Sequence, residues 1–161
     1  MLKLPTILKS SERMSMSKVN EKIETALNLL DNHLISGEMD KAEVLQQELL
    51  KQKTTVEESI ALENAELRIL LNKAEYDTAL RRLTSIMKKP RQQPGSKKWI
   101  ENYMLRAFIN QSLGHSSKAE KDLQKLLTTI KSDADEHITV LFNLGTLHRE
   151  KGNFKDAEQY Y

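Results

Sequence analysis

Residues 141–161 read LFNLGTLHREKGNFKDAEQYY, and the spacing inside this stretch decides the fold. Gly152 lets the chain leave one helix through a left-handed conformation at no Cβ cost. Ala157, five residues on, permits close approach of two antiparallel helices, and Phe154 between them is large enough to plug their corner. The same five-residue interval joins Gly37 to Ala42, Ala74 to Ala79 and Gly114 to Ala119. The four alanines are 37, 40 and 38 residues apart, and a nearly constant period of this length marks a helical repeat. Met39, Tyr76 and Ser116 stand where Phe154 stands in the last unit.

Outward from these turns, the apolar residues keep helical time. Val19, Ile23, Ala26, Leu27, Leu30 and Leu34 recur at three- and four-residue steps, as do Tyr76, Ala79, Leu80, Leu83, Ile86 and Met87. Thr55 before Glu58, Ser117 before Glu120 and Asp133 before Glu136 have the spacing of capping boxes. The pattern predicts helices over 19–36, 39–52, 56–73, 75–89, 97–113, 117–131, 134–150 and from 154 onward. With 5 Gly and 3 Pro in 161 residues, and no run rich in strand formers, the chain reads as all-α.

These residues resemble the tetratricopeptide repeat. Gly145, Gly152, Phe154 and Ala157 carry the likeness in the last unit, and Tyr103, Ala107, Gly114, Ala119, Leu123 and Leu126 in the third. The second unit has Leu67, Tyr76, Ala79 and Pro90 without the turn glycine; the first rests on Leu29, Gly37, Ala42 and Leu49. The likeness covers residues 19–161, with a longer period than the ~34 residues usual in the family. It implies a right-handed α-solenoid of antiparallel helix pairs, about four units with the last incomplete. Residues 1–18 stand apart as a flexible or docking segment. They hold Lys3, Lys9, Arg13 and Lys18 against Glu12 alone, and a targeting role is the lesser reading. Because the sequence stops about two turns into a helix, we expect either a longer protein or self-association through an uncapped C-terminal face.

Composition narrows the function. A net charge of +2 gives no strong global field, and no apolar run approaches the ~20 residues that span a bilayer. The lack of Cys removes thiolate chemistry and fits a reducing, cytoplasmic setting. Phosphate-loop, HExxH, GxSxG and EF-hand patterns are missing, so neither a catalytic site nor a cofactor is expected. No metal site is expected either. His33 and His148 share one repeat position, where the family usually carries an inward aromatic, and read as core residues. His115 falls in a turn, and His137 at a helix start without the spacing of a metal ligand set.

The resemblance implies a protein or peptide partner held in a concave groove lined by the first helix of each unit. Projected onto this sequence, the groove positions are Leu27, Asn28 and Asp31, then Asn64, Arg68 and Asn72. Met104, Phe108 and Gln111 follow, and the last unit gives Phe142, Asn143, Thr146 and Arg149. We expect Asn64, Arg68, Phe108, Phe142, Asn143 and Arg149 to be at least partly exposed. The carboxylate clamp that some members use on chaperone tails is excluded, since Leu27, Asp31, Ala65, Glu101 and Leu105 stand where it needs cations and Asn. A scaffold, or the sensing part of a longer regulator, is the reading. The alternative is a nucleic-acid binder using the basic segment of Arg81, Arg82, Lys88, Lys89, Arg91, Lys97 and Lys98, which no acid interrupts. Trp99 alone interleaves with these cations, where a single-strand binder needs several stacking rings, so a solvated face is favoured.

Overall fold

The computed structural model describes residues 21–52, 55–89 and 93–161. Among them are eight helices and no strand: α1 (Glu21–Ile35), α2 (Met39–Leu50), α3 (Val56–Asn72), α4 (Tyr76–Met87), α5 (Lys97–Ser112), α6 (Ser116–Thr129), α7 (Asp135–Glu150) and α8 (Phe154–Glu158). The predicted helices match these within about two residues at their described ends. The segment 1–18, Arg91 and Pro90 lie outside the described residues.

The helices group into two compact units, the described residues up to Glu75 and Tyr76–Tyr161. In the first, α3 packs on the α1–α2 hairpin, and Ile23, Leu27, Leu30, Leu34, Leu49, Leu62 and Ile69 form the core. In the second, α4 packs on α5, α5 pairs with α6, α6 with α7 and α7 with α8. The repeat alanines sit where the spacing predicts. Ala42, Ala79 and Ala119 are fully buried and Ala157 is 3% exposed.

The turns repeat as well as the helices. Gly37, Gly114 and Gly152 have φ of 76°, 76° and 79°. The following residue in each case donates its N–H to the carbonyl five residues back: Glu38 to His33, His115 to Asn110 and Asn153 to His148, at 2.9, 2.7 and 2.9 Å. This is the six-to-one bond of a Schellman turn. The second sequence repeat makes the same turn without glycine. Ala74 takes φ of 56°, and Glu75 N–H reaches Leu70 O at 2.8 Å. A left-handed alanine costs about 1 kcal/mol, so Ala74→Gly should raise stability by roughly that amount. Gly152→Val should lower it by ~1–2 kcal/mol, for the same reason with opposite sign. Urea midpoints moving in one direction for both variants would refute this turn assignment.

Of the predicted caps, one holds. Thr55 and Glu58 form the full box, with Thr55 N–H donating to Glu58 Oε2 at 2.7 Å and Glu58 N–H to Thr55 Oγ1 at 3.2 Å. Ser117 and Asp133 do not cap. The helix after the Gly114 turn starts one residue early, so His115 takes the cap position; Ala134 takes it in α7. Ser96 caps α5 instead, accepting from Trp99 N–H at 3.3 Å.

Candidate functional site

The positions expected to line a groove lie on the helices α1, α3, α5 and α7, and the two compact units treat them differently. In the first unit Leu27 is core, while Arg68 Nη1 on α3 donates to Asp31 Oδ1 on α1 at 2.9 Å. Both side chains are largely covered, so these two register-equivalent positions neutralise each other. Asn72 is exposed and its amide donates to Arg68 O at 2.8 Å. Asn28 is exposed and Asn64 half-buried.

In the second unit burial corrects part of the expectation. Phe108 and Asn143, expected to be partly exposed, are 3% and 2% exposed. Phe108 meets the Tyr76 ring of α4 edge-on at 6.3 Å, which makes it packing material. Met104 and Thr146 are buried too, and Thr146 Oγ1 lies 3.3 Å from the Tyr161 hydroxyl. Gln111 on α5 donates its amide to the Glu150 carboxylate on α7. Of the positions expected in a groove, those left open on α7 are Phe142, 39% exposed, and Arg149.

Phe142 and Arg149 are seven residues apart, which puts them on one helical face, and the exposed Ile138 extends that face by a turn. Its edge is made by Tyr161, whose ring centroid is 5.8 Å from that of Phe142. Gly145 makes this possible. A Cβ there would lie 2.8 Å from the Tyr161 ring, so the missing side chain leaves the space in which the ring nests. Sequence reasoning missed Ile138 and Tyr161. The four-residue step from Ile138 to Phe142 was the available signal.

His148 is buried as expected, with Nε2 3.2 Å from Glu120 Oε1, Nδ1 3.6 Å from Asp156 Oδ2 and the Tyr160 ring stacked on it at 5.3 Å. His33 instead closes a helix end. Its Nδ1 is 2.6 Å from Glu38 Oε2, and hydrogen bonds from Lys41 and then His33 hold that carboxyl below its ordinary range. Histidines and acids form no cluster suited to a metal among the described residues.

Of the basic segment, Arg81 and Lys88 are exposed, opposite the buried Ala79, Leu83 and Ile86 of α4. Arg82, Lys89 and Lys98 are half-buried, Lys97 is exposed at the start of α5, and Lys98 Nζ lies 3.6 Å from Glu101. None of the described helices is long and apolar enough to cross a membrane.

The family whose sequence pattern is described as tetratricopeptide repeat matches residues 138–161, that is, nearly all of α7, the Gly152 turn and α8. The α7–α8 hairpin thus carries the tetratricopeptide pattern, and the other described residues share its all-helical character. No curated protein matches the sequence.

Proposed function

We propose that the protein is an interaction scaffold that holds a peptide or helix of another protein against α7. The observation that carries this reading is the outward face of the matched repeat, where Phe142 and Ile138 offer apolar area and Arg149 a directional donor. Aromatic and arginine side chains together are the composition of a binding hot spot. The Arg68–Asp31 pair leaves less for a partner in the first unit, so the proposed site is that of α7 alone. Catalysis has no part in this function. The buried Phe108, Met104 and Asn143 belong to the packing and not to this surface, and Gln111 ties α5 to α7 through Glu150.

Site-specific photo-crosslinking tests it. A photoreactive residue at position 142 should capture a distinct protein partner, and one at Lys121, exposed on α6, should not. Capture only at position 121 would move the site off the first helices. Capture of a second copy at position 142 would identify this face as a self-association surface.

A further inference from the structure

The basic segment has no role in that scaffold, and α4 gives it one. Ala79, Leu83 and Ile86 are buried, which turns Ser85 to solvent. Helical neighbours lie three and four residues away. For Ser85 those positions are Arg82 and Arg81 before it and Lys88 and Lys89 after it. All four are cationic, and the chain holds no acid between Asp77 and Glu101. Lys88 N–H donates to Ser85 O at 3.3 Å and Lys89 N–H to Ile86 O at 3.1 Å, so the chain keeps turning past the end of α4 and both lysines stay within a turn of the serine along the backbone. A solvated lysine-and-arginine face alone needs no hydroxyl at its centre.

We propose that Ser85 is a phosphorylation site, read by a serine/threonine kinase that recognises arginine on the N-terminal side, and that the surrounding cations hold the phosphate. The Ser85 oxygen attacks the terminal phosphorus of a nucleoside triphosphate. The bond from that phosphorus to the bridging oxygen breaks, the nucleoside diphosphate leaves, and the hydroxyl proton passes to the kinase's catalytic carboxylate. A phosphoserine brings about −1.5 to −2 charges, which the negative end of the α4 dipole opposes. Arg81, Arg82, Lys88 and Lys89 outweigh that opposition through charge-assisted hydrogen bonds. Phosphorylation therefore roughly halves the charge that Arg81, Arg82, Lys88 and Lys89 concentrate around Ser85, while the stretch as a whole stays basic. Thr84 is the poorer acceptor, since it is half-buried and its hydroxyl donates to Leu80 O at 2.7 Å.

The full chain is incubated with an arginine-directed serine/threonine kinase and nucleoside triphosphate, then mapped by peptide mass spectrometry. The expected product carries phosphate on Ser85. Ser85→Ala removes it, Thr84→Val keeps it, and Arg82→Gln slows it roughly tenfold or more, as loss of one charged contact to the kinase requires. Amide exchange at Lys88 and Lys89 should slow on phosphorylation. Absence of transfer, or transfer to Thr84 or to serines of residues 1–18 with Ser85 unmodified, overturns the site. Faster exchange at Lys88 and Lys89 overturns the cationic cradle.

Discussion

Arg106→Met should destabilise the protein by about 2–3 kcal/mol, more than any other single surface-accessible change considered above. Arg106 on α5 donates through Nε and Nη2 to Asp122 Oδ2 and Oδ1 on α6, at 2.8 and 2.6 Å. Its guanidinium also lies 4.7 Å from the Tyr103 ring centroid. Asp122 hydrogen bonding, the largest influence, holds the guanidinium pKa above its ordinary value. Asp122 is 7% exposed, so removing the guanidinium leaves a carboxylate out of water and without its partner. A fully buried orphan charge costs about 3–5 kcal/mol. Arg106 itself is a quarter exposed, and water reaching the vacated position places the expected cost below that range. Arg106→Met combined with Asp122→Leu should recover most of the loss, because a hydrophobic pair of similar volume has no charge to desolvate. Trp99 reports the unfolding. It is the only Trp, is 5% exposed and lies tilted against the Tyr103 ring at 4.3 Å. Urea curves showing the single variant within about 0.5 kcal/mol of the parent would mean that the pair does not hold α5 to α6.

That clamp was illegible in the sequence, and the reason is instructive. Periodicity arguments assign charges to the solvent side, and a salt bridge between helices leaves no trace in the spacing of either one. The turns were legible because their requirement is local. Four residue pairs at one interval fixed where the chain reverses, and Ala74 shows that the Schellman geometry prevails even where glycine is missing. The buried alanines followed from the same interval, since only a small side chain suits a close helix crossing. Caps were half legible. Thr55 works because the chain enters α3 in an extended conformation, whereas the Gly114 turn feeds straight into α6 and leaves Ser117 inside its first turn.

The candidate site was legible as a set of positions but not as a set of exposures. Register placed Phe108 and Phe142 on equivalent faces of successive first helices, yet Phe108 faces Tyr76 and Phe142 faces Tyr161 at the outer edge. Which of two like aromatics is covered depends on the ring opposite, and that ring comes from another helix. The same holds for Asp31 and Arg68. Each was marked as a groove residue alone, and only folding shows that they satisfy one another.

The consequence for binding is a second large effect. Phe142→Ala together with Arg149→Ala should weaken partner affinity by ~2 kcal/mol or more, about thirtyfold in Kd. Truncating Phe142 removes the exposed ring that the partner would cover, along with its contact to Tyr161, a pairing worth about 0.5–1.5 kcal/mol beyond area. Arg149 is exposed, so its loss costs the fold little. Phe108→Ala would not serve as a test, because emptying a buried aromatic site costs about 3–5 kcal/mol of stability and confounds binding with unfolding. The comparison pair is Arg81→Glu with Lys88→Glu on the basic face of α4. The decisive measurement is the Kd of both double variants for the partner captured at position 142, with the urea midpoint of each recorded beside it. The expected result is roughly thirtyfold weaker binding for the α7 pair and nearly unchanged binding for the α4 pair, both folded. Normal binding by the α7 pair and loss of binding by the α4 pair would contradict the account and return the basic face as the site.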